Sequence, residues 1–176
     1  MDTPNPTTLA GQGKQEYEKG NFAIAADLFS KAAQAYENLK DTLNAAEMKN
    51  NQSVALLQAG KTKEALQATD GTEEIFQQAG DLKRQGIAIA NRAAAMEGLK
   101  KWDEALAEYE RATSILEQAG EGDMHSMVRK AMAGLNLKLG RVTASQLDAY
   151  DSARLVKKPS FAQRFMKFMM RIGLLK

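Results

Sequence analysis

A chain of 176 residues, 44% apolar and 26% charged, has the make-up of an ordinary globular domain or a short repeat array. It has no cysteine, which excludes disulfides, thiolate metal sites and thiol nucleophiles, and its single histidine, His125, is too few for a multi-histidine metal centre. The net charge of +2 conceals a basic end: Arg154, Lys157, Lys158, Arg164, Lys167, Arg171 and Lys176 have no acidic residue among them, leaving 17 of the 24 basic residues against all 22 acidic ones elsewhere.

The opening MDTPNPTTLA has neither the basic segment nor the apolar core of a secretory leader. Residues 1–6 are expected to be disordered, and no apolar run approaches the roughly 18 residues that cross a bilayer. The expected compartment is the cytoplasm. With 29 Ala, 3 Pro and few aromatics, the composition favours helix over strand.

From residue 7 the chain repeats itself with a period of 40. Gly13, Ser53, Ala93 and Ala133 form one column of small residues; Ala25, Ala65, Ala105 and Ser145 form a second; Ala32, Thr72, Ala112 and Ser152 form a third. Ala35, Ile75, Ile115 and Leu155 make an apolar column, as do Tyr36, Phe76, Leu116 and Val156. Gly20, Gly60 and Gly140, with Lys100 in the third copy, fall where a helix should stop. LKD, AGD and AGE, ending at Asp41, Asp81 and Glu121, mark the joints. The pattern predicts four units, 7–40, 41–80, 81–120 and 121–157, each built as helix, tight turn and helix, with about 16 to 18 residues per helix. Small residues seven apart on the second helix share a face and let it approach its neighbour closely.

Residues 158–176 form a separate segment. Pro159 ends the fourth unit and Ser160 can cap a new helix. On that helix Ser160, Gln163, Arg164, Lys167 and Arg171 gather on one side. Phe161, Phe165, Phe168, Met169, Ile172 and Leu175 cover the other, with Met166 and Met170. Two readings stand: a helix that caps the end of the array, or a basic amphipathic helix that docks on an anionic membrane or on a partner.

The repeat also carries a family resemblance. Gly13, Gly20, Phe22, Ala25, Phe29 and Ala32 in the first unit, and Ala93, Trp102, Ala105, Tyr109 and Ala112 in the third, resemble a tetratricopeptide repeat. The second unit departs with Thr62 and Thr69, and the fourth has Val142, Ser145 and Ala149. The period of 40, against the common 34 or so, is similar to the longer repeats of kinesin light chains and related adaptors. The resemblance implies an all-α, right-handed superhelical solenoid of antiparallel helical hairpins with an extra C-terminal helix, its first helices lining a concave groove. Gly13, Ala25, Ala32, Ser53, Ala65, Ala93, Trp102, Ala105, Tyr109, Ala112 and Ala133 would then pack the repeats together.

The function implied is that of a non-catalytic adaptor or scaffold holding a peptide or helix of another protein in the groove. The groove candidates are Lys14, Tyr17, Glu47, Asn50, Asn51, Val54, Leu57, Asn91, Ala94, Glu97, Lys130, Leu137 and Lys138. Ala10, Asn50 and Ile87 stand where a carboxylate clamp for chaperone tails would need cations. Small residues at Ala90, Ala94 and Gly134 leave room for a bulky ligand such as a helix. No phosphate loop, nucleophile elbow or metal-ligand cluster points to an enzyme, a metal or a cofactor. The pairs Glu73–Glu74 and Asp103–Glu104 read as solvated helix faces. An acidic body argues against nucleic acid. The alternatives are a peripheral membrane protein docked on anionic lipid by its C-terminal helix, and a self-associating protein in which one chain's tail fills another's groove.

Overall fold

The computed structural model of the chain describes residues 5–141 and 143. They form eight helices: α1 (Pro6–Glu18), α2 (Phe22–Asn38), α3 (Thr42–Gln58), α4 (Thr62–Ala68), α5 (Thr72–Gln78), α6 (Leu82–Gly98), α7 (Trp102–Gln118) and α8 (Gly122–Lys138). There is no strand among the described residues. Five of the helices are 17 residues long, about 25 Å at 1.5 Å per residue.

The ends of these helices are built alike. The residue two past the last helical position is left-handed: Gly20, Gly60, Gly80, Gly120 and Gly140, and also Lys40 and Lys100. In each case the next amide reaches back over one turn, as when Asn21 N donates to Glu16 O at 2.9 Å and Lys101 N to Met96 O at 3.0 Å. The hairpin turn inside a unit and the joint between units are therefore the same motif, repeated every 20 residues. At two positions a lysine adopts the conformation that glycine holds elsewhere. Helix starts are capped unevenly. Asn5 accepts from Thr7 N, Asp41 from Asn44 N, and Asp81 from Arg84 N at 2.9 Å.

Apart from α4 and α5, consecutive helices pack side by side, and α3 also meets α5 and α6 while α4 meets α6. The result is a helical solenoid. Of the small columns, Ala25, Ala32, Ser53, Ala65, Ala93, Ala105 and Ala112 have no measurable exposure, and Ser145 and Ser152 lie outside the described residues. Gly13, Ala133 and Tyr109 are buried, and Trp102 is half-buried. The closeness is physical, since a Cβ on Gly13 would lie 2.9 Å from the Phe29 ring.

The second helix of the second unit differs from expectation. Where a continuous helix is predicted, the chain makes two seven-residue helices, α4 and α5. Gly71 between them has φ +73°. The hydroxyls of Thr69 and Thr72 donate to Leu66 O at 2.7 Å and Thr69 O at 2.8 Å, so local bonds replace part of the helical ladder.

The apolar core is also divided. One cluster joins α1, α2, α3 and α4, with Ala95 of α6 reaching into it. A second joins α6, α7 and α8. Between them lies a small one, Ala46, Phe76 and Ala88, flanked by Leu43 and Ile75. The second helix of the fourth unit and the segment 158–176 lie outside the described residues, and with them Phe161, Arg164, Phe165, Lys167, Phe168, Met169, Arg171, Ile172 and Leu175.

Candidate partner-binding face

The first helices of the units, α1, α3, α6 and α8, carry the groove candidates, and the structure sorts them into two groups. Tyr17, Asn50, Val54, Asn91 and Glu97 are buried, their surface taken up by packing between helices. Lys14, Lys130, Leu137 and Lys138 are exposed, while Glu47, Asn51, Leu57 and Ala94 are half-buried. The causes are local. Asn50 and Asn91 lie on α3 and α6, which pack directly on each other, whereas Tyr17 packs on Phe22 and Glu97 meets Tyr109 and Lys138.

The face opens toward α8. Met127, Lys130, Gly134 and Leu137 follow at steps of three, four and three residues and so share one side of that helix. Leu137 is 56% exposed, a large apolar side chain in solvent. A Cβ on Gly134 would meet nothing within 4 Å. Ile87 and Ala94, at the same repeat positions as Met127 and Gly134, are half-buried on α6.

At one edge of this face Lys138 Nζ lies 3.3 Å from Glu97 Oε1 and 5.0 Å above the Trp102 ring. Glu97 is only 2% exposed. Burial raises its carboxyl above the ordinary value, an effect that Lys138 and the Tyr109 hydroxyl, 3.3 Å away, only partly offset. The Tyr109 phenol is pushed well up by burial and by the neighbouring carboxylate, and stays neutral. Glu47 pairs with Arg84 at 3.2 Å. Two of the candidates, Glu97 and Lys138, thus meet as an ion pair, and a third, Glu47, pairs with Arg84, which the sequence did not single out; each pair joins the first helices of adjacent units.

Charge is sided in a way that the overall balance conceals. α6 and α8 carry Lys83, Arg84, Arg92, Arg129, Lys130 and Lys138 against Glu97 and Asp123. α7 carries Asp103, Glu104, Glu108, Glu110 and Glu117 against Arg111 alone. Sorting the charges helix by helix would find this.

Glu73 also departs from expectation. It is buried rather than solvated, while Glu74 beside it is exposed. Its carboxylate accepts from Arg92 at 2.7 Å and from Arg111 at 2.5 Å. Both arginines also reach Glu108, at 2.6 Å and 2.9 Å. The four side chains close a ring of alternating charge between α5, α6 and α7. Among the described residues no group of three or more His, Asp or Glu side chains is placed to hold a metal ion. No helix among them is long and apolar enough to cross a membrane.

A family model described as soluble NSF attachment protein, SNAP, matches residues 16–176. No curated protein matches the chain. The match supports a tetratricopeptide-like helical repeat and corrects the comparison with kinesin light chains: the repeat is of the SNAP kind. SNAP proteins are non-catalytic adaptors that bind other proteins. From residue 16 onward, and so across nearly its whole length, the chain belongs to the soluble NSF attachment protein family.

Proposed function

We propose that this chain is a non-catalytic adaptor that holds an amphipathic helix of another protein against the open face of α6 and α8. The observation that carries the reading is the Met127–Lys130–Gly134–Leu137 side of α8. An exposed leucine and an unfilled glycine position leave apolar surface and space there, and Lys130 and Lys138 supply positive charge. A helix with a leucine stripe edged by Glu or Asp would bury Leu137 and Met127 and pair with those lysines. A preformed face also lowers the ordering cost of binding. The family description names NSF as what its members attach, and an adaptor needs a second partner. The α6–α8 face is suited to that second role.

Calorimetric titration of the full chain with a synthetic amphipathic helix of leucine and glutamate tests this. Lys130→Glu should weaken binding about 5- to 10-fold, in line with 1–1.4 kcal/mol for a lost and reversed charge contact at an interface rim, and added salt should narrow the difference. Binding by the wild type that is indifferent to Lys130→Glu and to Leu137→Glu would move the site elsewhere.

A second reading rests on residues 158–176, whose sequence is basic and amphipathic. Docking on anionic vesicles, absent with neutral ones and lost in a chain ending at Lys158, would make the protein a membrane-docked adaptor.

A further inference from the structure

We propose that Asp70–Gly71 is a site of spontaneous backbone modification. In the folded protein the Gly71 amide nitrogen closes on the Asp70 carboxyl to form a succinimide. The ring then opens to isoaspartate at residue 70, with one extra carbon in the main chain between α4 and α5.

The turn differs from the others in its hydrogen bonds. At each of the seven left-handed residues that close the other turns, the residue's own amide donates to the carbonyl three positions back, at 2.9 to 3.1 Å. Gly71 is also left-handed, at φ +73°, yet its N–H has no partner among the described residues, and Asp70 O accepts no bond from them. The bonds on either side are in place. Asp70 N donates to Gln67 O at 3.1 Å, Thr72 N to Thr69 O at 3.2 Å and Ile75 N to Gly71 O at 3.4 Å. The peptide group between them is exposed and held by nothing but its neighbours in the chain and water. It can turn about Asp70 ψ and Gly71 φ without breaking a protein hydrogen bond.

The side chains agree with the backbone. The Asp70 carboxylate is exposed and has no ion pair or hydrogen bond among the described residues. Asp27, Asp41, Asp81 and Asp103 are each held, by Lys31, Asn44, Arg84 and Arg141. Gly71 puts no side chain in the path of the attack, and the space where a Cβ would stand is empty to 4 Å. Asp-Gly occurs once in the sequence, and Asn-Gly, which could close the same ring by losing ammonia, does not occur.

The chemistry needs only water. The Gly71 N–H bond breaks as the N–Cγ bond forms, and the hydroxyl of the protonated Asp70 carboxyl leaves with that proton as a water molecule. Water then adds to one of the two ring carbonyls. Opening at Cγ restores aspartate; opening at the main-chain carbonyl leaves the chain running through Cβ and Cγ. No atom is oxidised or reduced. Both flanks stay anchored, since α4 and α5 each pack on α3 and α6, and Glu73 is bound by Arg92 and Arg111. The extra carbon is taken up in the exposed turn, so the modified chain keeps its fold and accumulates.

The full chain is incubated at neutral pH, folded and in guanidinium, and isoaspartate at residue 70 is counted by electron-transfer fragmentation of the peptides. A second chain carries Ala79→Asp. That change sets an aspartate before Gly80, where the turn is also exposed and left-handed but the glycine amide donates to Gln77 O at 3.0 Å. The two sites should isomerise equally fast when unfolded, and in the folded chain Asp70 should be faster by about tenfold, the cost of first opening one hydrogen bond. Equal rates at the two sites in the folded chain overturn the proposal. So does a folded chain in which Asp70 stays unmodified while the unfolded chain isomerises.

Discussion

Gly86 and Gly134 both lie inside 17-residue helices, yet replacing each by alanine should move stability in opposite directions. An alanine gains up to about 1 kcal/mol over glycine in a helix interior, from backbone entropy alone. At Gly86 that gain meets a wall: the added carbon would lie 2.7 Å from Leu116 Cγ, 2.8 Å from its Cδ2 and 3.5 Å from Ala112 O. Carbon atoms prefer about 3.5–4.0 Å, so Leu116 or α6 must give way by most of an ångström. Leu116 has no exposed surface and cannot swing clear. Overpacking of this kind costs about 1–3 kcal/mol, and its enclosed position puts Gly86→Ala near the upper end, for a net loss of about 1–2 kcal/mol. Gly134→Ala meets nothing within 4 Å and should gain about 0.5–1 kcal/mol. At about 2–4 °C per kcal/mol for a chain of this size, the first variant melts roughly 2–8 °C lower and the second roughly 1–4 °C higher. Thermal unfolding by far-ultraviolet circular dichroism measures both. A Gly86→Ala chain as stable as the parent would refute the close approach of α6 and α7 on which the estimate rests.

Glu97→Gln should stabilise the protein by about 1 kcal/mol at pH 8, since replacing a buried charge is often neutral or favourable and Lys138 remains partly solvated and stacked on Trp102. The sign follows from linkage: burial raises the folded carboxyl's pKa above the unfolded one, so its stabilising effect is full below the unfolded value near 4.5 and is lost as pH rises through the folded value. Urea titrations at several pH values should show the gap between the two chains widening from acid to neutral, and a constant gap would contradict it. Asp81→Ala removes the cap on α6 and the partner of Arg84. It should cost about 1 kcal/mol in the same assay, and Asp81→Asn, which keeps a capping oxygen, clearly less. Asn50→Leu removes a buried acceptor that has no partner among the described residues. It should leave stability unchanged or raise it by about 1 kcal/mol, so a large loss would mean that Asn50 is satisfied after all.

The periodic part of the fold was legible because a column of small residues has one physical use, close helix approach, and Ala25, Ala65, Ala105, Ala32 and Ala112 are fully buried. Helix length followed from the spacing of the stop residues. The symmetry of the turns was less visible, because Lys40 and Lys100 occupy left-handed positions that glycine marks at the other five ends. The break at Thr69–Gly71 carried a signal of its own, an Asp-Gly pair. The period-40 alignment overrides that signal by treating the second unit as a worn copy of the first. On the groove, face assignment from repeat position cannot tell a position lining a cleft from one pressed against the next unit. Asn50, Asn91 and Glu97 are polar and yet buried: α3 packs on α6 around the first two, and Tyr109 and Lys138 close over the third. Glu73 was hidden for a related reason: its partners are 19 and 38 residues away, on two other helices.

The divided core has a consequence for how the chain reaches this structure. Nearly all its contacts join helices that follow one another, so loops to be closed are short and folding should be fast for a protein of this length. Two apolar clusters also mean two places to begin. Either half can gather its own helices without waiting for the other, and the contacts of α3 and α4 with α5 and α6 that join the halves form last. Denaturant should then undo the molecule in the reverse order, with a half-folded species in which one cluster is intact. Among the described residues Trp102 lies in the second half, whereas tyrosines lie in both, Tyr17 and Tyr36 in the first and Tyr109 in the second. Tryptophan fluorescence and tyrosine absorbance should therefore show transitions that do not coincide.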